Sequence, residues 1–167
     1  MTEETKDLAA EALRMLPYGF YAVTTNDGAG EVNIMVANWF SQASFTPRLV
    51  ILALAKNSYS HTLLEKGKVF ALNIFRKEDD RLIKAFTKSR ARKPDKLDGA
   101  AYTLSPIVQC PVLDGVAAYL EIRVREIHDI GGDHDLVVGE VVGAEVLKPG
   151  ECTDTLNLPH LGWSYAG

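Results

Sequence analysis

Three short segments carry side chains whose types and spacing could do chemistry. The first is NWFSQ, residues 38–42, where Asn38 is followed by Trp39, Phe40 and Ser41. Amides beside large aromatics at a strand end suit a flat polar ring. Asn38 and Ser41 would supply hydrogen bonds, and the aromatics would supply walls. A buried amide without a partner costs about 1–3 kcal/mol, so the pattern asks for a reason. The plainer reading also stands: Trp39 and Phe40 belong to the core, and Asn38 caps a turn.

The second segment is AKNSYSHT, residues 55–62, which follows an apolar strand and opens a helix. A helix N-terminus presents free N–H groups and partial positive charge, which suits a phosphate. Lys56 adds a full charge, Asn57, Ser58 and Thr62 add short donors, and His61 adds another. Here the alternative is an ordinary capped helix with a solvated lysine. In the third segment, GGDHD (131–135), His134 stands between Asp133 and Asp135. It is either an exposed turn residue or a group that meets a ligand. His128 and His134 alone are too few to hold a metal, and none is expected.

These segments need elements to position them. Leu8, Ala12, Met15 and Leu16 share a helical face that Pro17 ends. Residues 19–40 read as strand, glycine-rich turn and strand, a hairpin with its tip at Asn26–Gly30. LVILALA (49–55) and VFALNIF (69–75) read as buried strands, the first apolar on both faces, each followed by a short helix. Residues 87–100 form a polar loop with Lys88, Arg90, Arg92, Lys93 and Lys96. That loop is either solvated surface or a contact for a nicotinamide phosphate or an acidic redox partner. Leu120, Ile122 and Val124 alternate with charged residues, giving a strand with one wet face. After the GGDHD turn, LVVGEVVGAEVL returns as a strand whose glycines suggest bulges. About six hairpin-linked strands with short helices inserted argue for a closed or nearly closed barrel.

The 167 residues suit one domain spanning 1–167, and 47% hydrophobic with 24% charged residues is ordinary for a globular protein. A net charge of -4 argues against a nucleic-acid partner. No apolar run reaches the roughly 20 residues that span a bilayer, and the acidic, helical N-terminus is unlike a signal peptide, so a cytoplasmic location is expected. There is no GxGxxG; GAG at 28–30 sits in a hairpin turn, not between a strand and a helix.

Taken in order, YGFYAVTT, GEVNIMVANWFSQASF, LVILALAKNSYSHTLL, KVFALNIF, GGDHDLVVGEV and LGWSYAG resemble the flavin reductase-like family, the FMN-binding split barrels. YGFYAVTT, NWFSQASF and LGWSYAG are most similar to the reductase modules associated with flavodiiron proteins. The resemblance covers residue 16 to the C-terminus; the family often has Thr where Asp135 stands. It implies a mainly β fold: a six-stranded antiparallel split barrel that forms a homodimer with one FMN per subunit near the interface. It also implies hydride transfer from NADH or NADPH to flavin, or passage of electrons through bound flavin to a partner protein. Matched to its segments, Asn38, Trp39, Phe40, Ser41, Lys56, Asn57, Ser58, His61 and Thr62 would bind the cofactor. His134 would lie at the flavin or nicotinamide as the catalytic group.

Overall fold

The computed structural model describes residues 7–90 and 92–164. A short helix, α1 (Leu8–Leu13), is capped by Asp7, whose carboxylate accepts from the Ala10 N–H. Of this helix only Ala10 is buried, while Leu8, Leu13, Met15 and Leu16 stay exposed. The hairpin follows as β1 (Tyr21–Asn26) and β2 (Val32–Ala37). Its tip is one residue later than the sequence suggests, because Asn26 still pairs with Val32. Asp27 shapes the turn by accepting from the N–H groups of Ala29 and Glu31, and Gly28 and Gly30 supply its positive φ angles.

After β2 come β3 (Phe40–Ser44) and β4 (Leu49–Ala55), then α2 (Tyr59–Gly67) and β5 (Val69–Ile74). A 3-10 turn leads into α3 (Asp80–Lys84), and the 87–100 loop follows. The short pair β6 (Tyr102–Leu104) and β7 (Pro111–Leu113) precedes a long hairpin of β8 (Ala118–Asp129) and β9 (His134–Val146).

The main sheet has seven strands, in the order β2-β1-β5-β8-β9-β4-β3, and every pairing is antiparallel. Six strands were expected; the seventh is β3, which reads in the sequence as the end of β2. β6 and β7 form a separate two-stranded sheet that the sequence pattern does not announce.

The two edge strands are consecutive in the chain, joined only by Asn38 and Trp39. Laid flat, seven strands would put β2 and β3 about 29 Å apart, at about 4.8 Å per step. Three residues reach only about 11 Å. The sheet must therefore curl until its edges approach at this joint, yet β2 and β3 do not pair. The result is a curled sheet with an open seam rather than a closed barrel. Asn38 and Trp39 stand at the seam.

The concave side is packed by Val23, Val50, Leu52, Leu54, Phe70, Leu72, Ile122 and Val137, with Leu64 entering from α2. β4 does not bury both faces: Val50, Leu52 and Leu54 are buried, while Ile51, Ala53 and Ala55 are half-buried on the other side. A second cluster of Phe20, Ile34, Phe75, Ile83, Phe86, Leu113, Leu156 and Leu158 packs α3 and the C-terminal segment onto the convex side. α2 sits against β1 and β2. Its last residue, Gly67, approaches the hairpin so closely that a Cβ there would lie 1.8 Å from the Asn26 carbonyl oxygen.

Candidate functional site

A cavity of about 410 Å³ opens at the seam, lined by Asn38 and Trp39, by Ala53 and Ala55 of β4, and by His134. Phe20, Leu158 and Trp163 close another side. The C-terminal segment is held there by backbone hydrogen bonds from Phe20 to Leu156 and from Leu158 to Tyr18. Trp163 then meets Phe20 edge-on at 5.6 Å between ring centroids. The Asn38 side-chain nitrogen is buried and has no hydrogen-bond partner among the described residues. A polar donor without an acceptor therefore lies in the wall of a largely apolar cavity.

His134 arrives through the β8–β9 turn, which is clamped from two directions. The Lys56 backbone N–H donates to the Asp133 carbonyl, and the Lys56 ammonium donates to Asp129 Oδ1 at 2.6 Å. Asp129 also accepts from the Gly131 N–H. The hydrogen bond from Lys56, then that from Gly131, holds its carboxyl below the usual range. The His134 ring lies 4.9 Å from the Trp39 ring, and its Nδ1 is 2.7 Å from Asp133 Oδ1. That contact lowers the Asp133 pKa.

A second cleft, of about 680 Å³, shares Met35 with the first. Asn57, Ser58, Tyr59 and Ser60 bring the start of α2 to it; Ser89, Arg90, Pro94 and Lys96 bring the 87–100 loop. Ser58 caps α2, its hydroxyl accepting from the His61 N–H at 3.2 Å. Arg90 stacks on the Tyr59 ring at 3.9 Å and pairs with Glu31 Oε1 at 3.1 Å, while the Tyr59 hydroxyl donates to the same carboxylate. The hairpin turn thus fixes the loop across the helix start.

Of the residues expected from sequence, Asn38, Trp39 and His134 meet in the first cavity, and Asn57 and Ser58 in the second. Phe40 packs against Tyr21 at the concave core, and the Ser41 hydroxyl donates to the neighbouring Gln42 carbonyl. Lys56 is engaged by Asp129, with Asp135 at 3.6 Å. His61 is buried against Asp135, and Thr62 is exposed on α2; neither lines either space. Lining residues that the sequence reading passed over are Met35, Phe20, Leu158 and Trp163. No periodic pattern marks them, because they come from just before β1, from β2 and from the C-terminal segment.

Residues 13–158 match the family described as flavin reductase like domain. A high molecular weight rubredoxin from Moorella thermoacetica is 31% identical over 142 residues, covering 84% of this chain and 61% of that protein. The chain thus spans less than two thirds of that relative. An NADH-dependent FAD reductase from Streptomyces globisporus is 30% identical over 129 residues, covering 77% of this chain and 69% of that protein. Among solved structures, nitrilotriacetate monooxygenase component B from Mycobacterium thermoresistibile aligns with a TM-score of 0.75 at 27% identity, covering 86% of this chain and 76% of that one. No described helix is long and apolar enough to cross a membrane. With a match over most of its length, a curled antiparallel sheet and paired spaces at its seam, the chain belongs to the flavin reductase-like domain family.

Proposed function

We propose that the protein is an FMN-binding oxidoreductase of the flavin reductase type, passing hydride from NADH or NADPH to the flavin. The observation that carries this reading is the unpartnered Asn38 side-chain nitrogen in the wall of an apolar, aromatic cavity, beside a cleft that shares Met35 with it and carries Arg90 and Lys96. A flavin mononucleotide has both halves this arrangement calls for: a flat ring with carbonyl acceptors and a phosphate. The cavity's volume also falls within the roughly 300–1,000 Å³ of small-molecule sites.

In this reading, Asn38 donates to a carbonyl at the ring edge, and Trp39, Ala53 and Ala55 form the walls. Ser58 and the first N–H groups of α2 receive the phosphate, beside Arg90, which is itself paired with Glu31. Among the earlier candidates, Ser41, Lys56, Asn57, His61 and Thr62 flank these groups, and Lys56 also steadies the turn that carries His134. Bound flavin supplies the hydride-accepting chemistry, so the protein's task is mainly to bind, orient and exclude water. His134, steadied by Asp133 and Trp39, is the polar group available at the open face for an incoming nicotinamide.

A second reading is a non-catalytic FMN module that relays electrons to a redox partner. It is favoured by the relative named as a rubredoxin, of which this chain matches only part. We further propose a homodimer, since Phe45, Met15 and Leu8 are largely exposed and a second copy could cover them. Anaerobic addition of NADH or NADPH to FMN-loaded protein separates the two readings. Bleaching of the flavin absorbance within seconds supports the reductase; an unbleached spectrum selects the module.

A further inference from the structure

Lys96 is a buried residue whose ammonium has no partner among the described residues. It is only 6% exposed, and its ammonium makes no hydrogen bond or ion pair to any described residue. Burial, helped by the charge of Lys93, pushes its pKa down to about 8. Burying a charge without compensation is costly enough that such lysines are rare. The neighbouring cations are committed elsewhere: Arg90 to Glu31, and Lys56 to Asp129. Asp95 and Asp98 line an adjoining hollow together with Lys96, but neither pairs with it.

The setting supplies the second half of the argument. Lys96 lines the same cleft as Asn57, Ser58, Tyr59 and Ser60 at the start of α2, a nine-residue helix. A helix N-terminus and an uncompensated ammonium therefore face one space from two elements. The missing counter-charge is anionic, and its place is the cleft.

Resting on the reading that this cleft takes the flavin's phosphate, we propose that Lys96 is the charge-selecting residue of the site. It pairs with a terminal phosphomonoester and makes the protein prefer FMN, whose phosphate carries up to two charges, over riboflavin, which has none. It also disfavours FAD, whose phosphates are each esterified and singly charged.

Flavin fluorescence titrations with riboflavin, FMN and FAD, using wild type, Lys96→Met and Lys96→Gln, test this. Wild type should bind FMN more tightly than riboflavin by about 30-fold or more, the scale of charged hydrogen bonds to phosphate. In Lys96→Met, FMN affinity should fall about tenfold or more, while riboflavin affinity stays within about twofold. A second readout needs no flavin. Millimolar inorganic phosphate should raise the melting temperature of the wild type, and raise that of either variant less. Equal binding of riboflavin and FMN by wild type overturns the phosphate reading of the cleft itself. A wild-type preference for FMN that persists in both variants overturns only the role of Lys96. FAD binding as tight as FMN in wild type overturns the selectivity.

Discussion

Asp135 Oδ2 lies 2.7 Å from His61 Nε2, and both residues are buried. This contact ties β9 to α2 beneath the candidate site. Successive strand residues face opposite ways, and the register makes the division explicit: His134 stands opposite Ala55, and Asp135 opposite buried Leu54. One residue of the pair therefore serves the cavity and the next anchors the helix whose first turn lines the cleft. Lys56 approaches the other Asp135 oxygen at 3.6 Å, so the turn and the helix start share one network.

Removing Asp135 should then loosen two things together. Asp135→Ala takes away the hydrogen-bond partner of the buried His61 Nε2, and leaving such a group unsatisfied costs about 1–3 kcal/mol. Urea unfolding should show that loss, and FMN affinity should drop because the start of α2 is no longer anchored. Asp135→Asn keeps a hydrogen-bonding group and should recover part of both. An unchanged unfolding midpoint for Asp135→Ala would show that the contact adds nothing.

Much of this architecture was legible from residue patterns. Strands such as LVILALA and VFALNIF announce themselves because β-branched and apolar side chains run in strand-length blocks. β4 coincides with its predicted span of 49–55. The fate of β3 was not legible: Phe40–Ser44 lacks an alternating pattern, and its place is set by pairing with β4 across a bulge. In the candidate site, the cluster of Asn38, Trp39 and His134 could be anticipated from residue type and resemblance. The partners of Lys56 and His61 could not. Asp129 and Asp135 are more than seventy residues distant from them, and only the β4–β9 register brings them near. Lys96 was hidden for the opposite reason. Basic loops are usually solvated, and burial of one basic residue among five leaves no mark on the sequence.

Asn38 should show a conflict between stability and binding. Its side-chain nitrogen is buried and unpartnered, a penalty of about 1 kcal/mol or more in the ligand-free protein. Asn38→Leu removes that penalty at similar volume and should raise the melting temperature of flavin-free protein. The same substitution should weaken FMN and riboflavin alike, by about tenfold, since the lost donor serves the ring rather than the phosphate. A variant that is less stable yet binds normally would make Asn38 a structural cap.

The Lys96 pKa gives a pH dependence with a definite sign. It is lowered to about 8 in the folded chain, with Arg81, Arg90, Lys93, Asp95, Asp98 and Asp114 as the charged residues lining the spaces it borders. In the unfolded chain a lysine keeps its proton to roughly pH 10.4. Between those values the unfolded state binds more protons, so the contribution of this residue to stability rises with pH. Below pH 8 both states are charged and the full burial penalty applies. Lys96→Met should therefore melt above wild type near pH 7, and the gap should close towards pH 10. Taking the difference between the two proteins removes the other groups that titrate in this window. A gap independent of pH would mean that Lys96 does not carry the penalty.

His134 offers the sharpest separation of binding from chemistry. It shares the cavity with Asn38, lies against Trp39 and is steadied by Asp133. In the proposed reductase, such a group orients the nicotinamide and acts as hydride moves, so its contribution belongs to the transition state rather than to flavin binding. His134→Ala should leave FMN affinity nearly unchanged. It should slow anaerobic flavin reduction by NADH or NADPH about tenfold or more, the scale of one positioned hydrogen bond. Asp133→Asn should slow reduction less, because it alters how the imidazole is held without removing it. Stopped-flow absorbance of the bound flavin measures both. If reduction by His134→Ala proceeds at the wild-type rate, His134 is a turn residue that packs on Trp39, and hydride transfer relies on the geometry of the cavity alone.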